Sequence, residues 1–133
     1  MNSMQANSTF TLIEASEKPF SEFEGGPKLT KGNFKMAYVG ELQGESILQE
    51  LKCYLADGSA TVFGFEQFTG SLGNRSGTFV LEHVGKFENG VLTSKRNVVI
   101  GSGTGDLNGL KGEVNFQTGS AEQFAITLEY SFE

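Results

Sequence analysis

The residue types best suited to proton chemistry in this 133-residue chain converge on its single histidine, His83, in the stretch Gly64–Phe87. That stretch reads as two strands around a tight turn. If Asn74-Arg75 is the pivot, Glu66 stands opposite His83, Phe68 opposite Leu81 and Val62 opposite Phe87. An imidazole beside a carboxylate in an apolar interior can hold or transfer a proton, and a neighbouring arginine can hold an anionic group. Glu66 and His83 are therefore the candidate acid and base.

Two further turns extend the register. A two-residue turn at Asp57-Gly58 pairs Gln49 with Glu66, Ile47 with Phe68, Leu51 with Gly64 and Cys53 with Val62. One at Asn89-Gly90 pairs His83 with Arg96, Phe79 with Ile100, Leu81 with Val98 and Phe87 with Leu92. The selected face is apolar except for the row Gln49, Glu66, His83, Arg96. Phe34, Met36 and Tyr38 extend it on one side, and Phe124, Ile126, Leu128 and Tyr130 on the other. The candidate ligand-binding set is Gln49, Glu66, His83, Arg96, Tyr38 and Phe68. The same belt is equally readable as a closed hydrogen-bond network that satisfies its own buried polar groups and does no chemistry.

Other chemistry finds no support. The run Gly101–Leu107 superficially resembles a phosphate-binding loop, but it lacks Gly-Lys-Ser/Thr and opens no helix, so it reads as a β-connection. One histidine with one cysteine makes no typical zinc site, and no nucleophile elbow is present. No metal and no cofactor are expected. Cys53, on the expected inner face, reads as a small buried hydrophobe.

Positioning this belt requires strands, which turn signals place at roughly 8–15, 29–39, 45–56, 59–69, 78–86, 91–100, 113–118 and 122–132. Residues 1–7 are expected to be flexible. Residues 16–28, holding both prolines and Gly25-Gly26, are expected to form a long loop, with Phe20 and Phe23 over an open end of the domain or anchored beneath the loop. Gly101–Gly112 and Gly119-Ser120 separate the last strands. The segment 45–55 is also helix-compatible. The pattern Gly70-Ser-Leu-X4-Gly77 recurs as Gly105-Asp-Leu-X4-Gly112, a weak internal repeat. About eight strands joined by short turns imply an all-β antiparallel meander, and closure into a barrel removes its exposed edges.

Composition sets the outer bounds. The chain has the size of one domain able to bury a core without staples. A net charge of −6 with scattered basic residues argues against nucleic acid as a partner. The first residues do not resemble a signal peptide, and no apolar run is long enough for a spanning helix, so a cytoplasmic location away from membranes is expected. Leu48, Tyr54, Phe63, Phe65, Val80 and Val84 fall on the expected outer face, a patch suited to a homo-oligomer.

Three segments, Glu17–Phe20 with Glu24–Thr30, then Gly64–His83, then Gly101–Gly112, together resemble a family of small uncharacterised bacterial proteins, over nearly the whole chain. The resemblance implies an eight-stranded barrel similar to allene oxide cyclase and, more loosely, to dirigent proteins. It implies no activity, since the family has none assigned and a fold does not confer chemistry. Glu66 matches the cyclase only as a carboxylate inside a barrel. Arg96 stands where relatives are expected to carry an aromatic residue.

Three functional readings follow. The barrel binds a small hydrophobic or amphipathic molecule in its interior; or it is a cyclase or isomerase using Glu66 and His83; or it is a filled barrel serving as a structural or interaction module.

Overall fold

Alternation of inward and outward side chains runs through the barrel-forming parts of the first six strands in the computed structural model, which describes residues 3–117 and 123–133. The described residues form eight strands: β1 (Met4–Glu22), β2 (Lys28–Gly40), β3 (Leu42–Tyr54), β4 (Ala60–Leu72), β5 (Arg75–Glu88), β6 (Val91–Val98), β7 (Leu110–Gln117) and β8 (Gln123–Phe132). Each is antiparallel to its sequence neighbours, and β1 pairs with β8 to close the barrel. Closure removes the strand edges where β1 and β8 pair, from Met4 to Thr11. The only helical turn among the described residues is a 3-10 turn at Gly105–Leu107, and no helix there is long and apolar enough to cross a membrane. The ambiguous segment 45–55 is strand for most of its length, and the expected Gly119-Ser120 turn lies outside the described residues, as do Thr118 and Glu122 at the expected strand ends.

The turns explain which expectations held. Asn89-Gly90 has positive φ at both positions (52° and 78°), as a type I′ turn requires, and β5 pairs with β6 in the expected register. The β4–β5 turn is Gly73-Asn74, with Gly73 at φ 60° in the manner of a type II′ turn. That moves the pairing by two residues and preserves which faces point inward.

The β3–β4 turn departs in a way that matters. Leu55 O accepts from Gly58 N while Leu55 N donates to Ser59 O, and Gly58 alone in the loop has positive φ. This is a three-residue loop ending in a left-handed glycine, not a two-residue type I′ turn. Glu66 consequently pairs with Leu48 and Gly64 with Glu50. The one-residue slip turns β3 over, so Leu48 and Glu50 face inward and Ile47, Gln49 and Leu51 face solvent.

The region 16–28 is not a long loop. β1 continues to Glu22 against β2, with bulges at Leu12/Glu14 and Pro19/Ser21. Among the described residues its pairing with β8 runs no further than Thr11, and Pro19, which has no N–H to donate, lies beyond that ladder. Phe20 and Phe23 are 60% and 69% exposed, so neither is an anchor buried beneath a loop. At the other terminus Met4–Asn7 is strand, paired with Thr127–Tyr130. Ile100 lies beyond β6, 76% exposed, and does not face Phe79.

The two barrel ends are built differently. The end formed by the start of β3, β5 and β7 is filled by Leu42, Leu72, Phe79, Leu107 and Leu110. Leu72 and Leu107 are the equivalent leucines of the weak internal repeat. The connection after β6 folds over this end and inserts Leu107; it fits because a Cβ at Gly77 would lie 2.0 Å from Thr104 O. The opposite end carries only the loops 23–27 and 55–59 and the turn at 89–90 among the described residues.

Candidate functional site

One inward row crosses the middle of the barrel: Glu50 on β3, Gly64 on β4, His83 on β5 and Arg96 on β6, each paired with the next. Because Gly64 contributes no side chain, Glu50 and His83 approach each other across β4. Glu66, two residues further along β4, reaches His83 diagonally and not from directly opposite. All four ionisable groups are buried, Glu66 and His83 completely.

The Glu66 carboxylate is the hub. Its Oε1 lies 2.7 Å from His83 Nε2, and its Oε2 accepts a 2.5 Å hydrogen bond from the Tyr38 hydroxyl. Arg96 Nη1 stands 3.7 Å from Oε1, and Ser46 faces the same carboxylate without closing a hydrogen bond. Burial by itself raises a carboxyl pKa. Here the His83 hydrogen bond and the Arg96 charge outweigh it and pull Glu66 from 4.5 down to about 2. Burial and the Glu66 charge push the Tyr38 phenol well above its ordinary range. An ionised Glu66 is therefore an acceptor for both Tyr38 O–H and His83 Nε2–H.

Next to this network, toward the less filled end, is a cavity of about 130 Å³. Phe10, Leu12, Phe34, Met36, Leu48, Leu92 and Phe124 form its apolar wall, and Glu50, Lys52 and Arg96 are its polar members. Glu66, His83 and Tyr38 stand behind that wall and do not line it. Phe68 is deeper still, fully buried and packed edge-on against Tyr38 at 5.5 Å.

At the mouth, Glu17 gathers three donors. Tyr54 O–H donates at 2.7 Å and Thr30 Oγ1 at 2.8 Å to Oε2, while Lys52 Nζ donates at 3.0 Å to Oε1. Partial burial raises the Glu17 pKa, but the bonds from Tyr54, Lys52 and Thr30 outweigh it and leave it lowered; burial and the bond to Glu17 push Tyr54 up to about 12. This cluster ties the projecting part of β1 to β2 and β3.

Of the expected belt, Glu66, His83 and Arg96 come together, with Tyr38 joining them. Gln49 does not: it is on the outer surface, and Glu50 takes its place. Glu50, Lys52 and Glu17 are the residues that sequence reasoning missed. A three-residue reading of the 56–58 loop would have found the first two; Glu17 was hidden in a presumed loop. Cys53 has outward parity and is half-buried. The expected outer patch also changes. Leu48 is 4% exposed in the core and Tyr54 is held by Glu17, whereas Phe63, Phe65 and Val84 are exposed as expected, Val80 is half-buried, and Ile47 and Leu51 join them. Among the described residues no cluster of potential ligands could hold a metal ion.

The profile of a family described as a protein of unknown function (DUF3224) matches residues 6–130. Among solved structures, the chain is similar to a protein with unknown function from the DUF3224 family of Shewanella oneidensis MR-1. The two are 27% identical over 99% of each chain, with a TM-score of 0.83. No curated protein matches.

Proposed function

Since this chain belongs to the DUF3224 family, whose description assigns no activity, we propose from the geometry that it is a binding protein whose barrel takes a small, largely apolar molecule into the mouth-end cavity. The observation that carries this reading is the cavity itself: about 130 Å³ with seven apolar residues in its wall and Glu50, Lys52 and Arg96 as its polar members. An apolar protein cavity of about 150 Å³ is known to accept benzene. The buried part of the ligand is accordingly one ring or a short chain.

Catalysis by Glu66 and His83 is the weaker reading. Both stand behind the cavity wall, and a carboxylate held ionised down to about pH 2 is a poor proton acceptor at neutral pH. A wholly filled barrel is at odds with the cavity.

Titrating ¹⁵N-labelled protein with toluene tests the binding reading. Amide shifts at Leu12, Phe34, Leu92 and Phe124 are expected, and Leu12→Trp, which fills the mouth, is expected to abolish them. Shifts confined to the outer face would refute it.

The outer face supports self-association as a separate proposal. Leu51, Phe63 and Val84 are paired in one row across β3, β4 and β5, and Phe65 packs edge-on against Phe63 at 5.5 Å. Sedimentation velocity of Phe63→Glu against wild type is the check: a dimer or larger species is expected only in wild type.

A further inference from the structure

Glu50 is 6% exposed and lines the cavity, yet among the described residues no donor lies within hydrogen-bond distance of its carboxylate. The nearest ionic partner is His83 Nδ1 at 3.7 Å. A buried carboxylate without donors forfeits the hydrogen bonds it had in water, which makes it an incomplete half of an interaction.

Behind Glu50, His83 commits its Nε2 to Glu66, and its fully buried Nδ1 has no hydrogen-bond partner. Glu50 is therefore the acceptor that a donor entering the cavity meets.

The cations around the cavity are already occupied. Lys52 donates to Glu17 and lies 5.6 Å over the Phe34 ring; Arg96 stands beside Glu66 and lies 5.3 Å over the Phe10 ring. Among the described residues at and behind the cavity, Glu17, Glu50 and Glu66 stand with Lys52, Arg96 and His83, and an anionic head group beside Glu50 would meet a carboxylate. Room at Glu50 comes from Gly64, where a Cβ would lie 3.0 Å from the Glu50 Cγ.

We propose that the cavity selects molecules whose head group donates hydrogen bonds to Glu50, a primary amine first and a hydroxyl second, on a ring-sized apolar body. The amine ranks first because as an ammonium it gives the Glu50 carboxylate a charge-assisted hydrogen bond. A carboxylate head is excluded by Glu50. This rests on the reading of the cavity as the binding site.

Four probes with one ring in common separate the two: toluene, p-cresol, benzylamine and benzoate, titrated by NMR into wild type and into Glu50→Gln. The expected order in wild type is benzylamine, p-cresol, toluene, benzoate, with benzylamine at least tenfold tighter than toluene. Glu50→Gln, which keeps the side-chain shape, is expected to erase that ratio and leave toluene unchanged. Benzoate as the tightest ligand, or a benzylamine-to-toluene ratio that survives Glu50→Gln, overturns the donor selectivity while leaving the cavity reading intact. Failure of all four probes to bind overturns both.

Discussion

The filled end and the mouth end of this barrel are made from the same eight strands with the same inward-outward alternation, yet one is a core and the other a container. At the filled end Leu42, Leu72, Phe79, Leu107 and Leu110 are each at most 3% exposed, whereas Leu12 at the mouth is 47% exposed. The difference lies in the connections. A long link between β6 and β7 folds back over the filled end and supplies Leu107, while the turns at the mouth include one of only two residues, Asn89-Gly90. Strand alternation makes an apolar interior everywhere; whether that interior is plugged depends on which connection is long enough to reach it. The buried ionic network sits between the two regimes, backed by the packed layer and adjoining the cavity.

The contrast can be broken first at its packed side. Phe79→Ala is expected to cost about 3–5 kcal/mol in urea denaturation, because the vacated volume is enclosed on all sides. Leu12→Ala at the mouth is expected to cost under about 1 kcal/mol, since much of that side chain is already in water. Equal losses would show that the two ends are not energetically distinct.

Removing the hub comes next. Glu66→Gln leaves Arg96 and His83 without their buried counter-charge and is expected to cost about 3 kcal/mol. The pH dependence carries a fixed sign. Glu66 has its pKa depressed in the folded state, so its contribution is fully present above its ordinary 4.5 and is lost as pH falls through about 2. Wild type should therefore lose stability between those values more steeply than Glu66→Gln. Parallel acid-unfolding curves would remove Glu66 as the hub.

Gly64 sharpens the comparison at the level of the backbone. An added Cβ would sit 2.2 Å from Gln49 O, so Gly64→Ala must spread β3 from β4 next to Glu50. A loss of about 2 kcal/mol is expected. Gly58→Ala meets no atoms but strains a positive φ of 86°, for about 1 kcal/mol. Thermal unfolding should rank Gly64→Ala below Gly58→Ala.

The smallest effect belongs to the rim. Tyr54→Phe deletes one of three donors to a Glu17 carboxylate that is partly in water, and is expected to cost about 1 kcal/mol or less. A larger loss would mean that the rim cluster holds the mouth in shape and does not merely decorate it.

Much of the architecture was legible from local chemistry. Asn89-Gly90 specifies its own turn type, and from it the pairing of His83 with Arg96 followed without knowledge of the rest. Alternation in β2 correctly placed Met36 and Tyr38 inside. β3 was misread because its own pattern argues for the wrong face: Ile47 and Leu51 are exposed while Ser46 and Glu50 are buried. The projecting half of β1 was missed because proline and glycine signals indicate a loop unless the strand is known to be unpaired on one side.

By itself, then, the amino-acid sequence determined a closed antiparallel meander and the identity of three of the residues at its buried centre, Glu66, His83 and Arg96. The residues at the centre follow from successive hairpin turns, and closure from the edges that an open meander would expose. Only the tertiary structure decided that Glu50 and not Gln49 completes the row, that Tyr38 binds Glu66, and that a cavity survives at one end. Those outcomes depend on the simultaneous pairing of β3 with both neighbours and on which connection reaches back over the barrel. Such long-range constraints lie beyond the reach of any one turn.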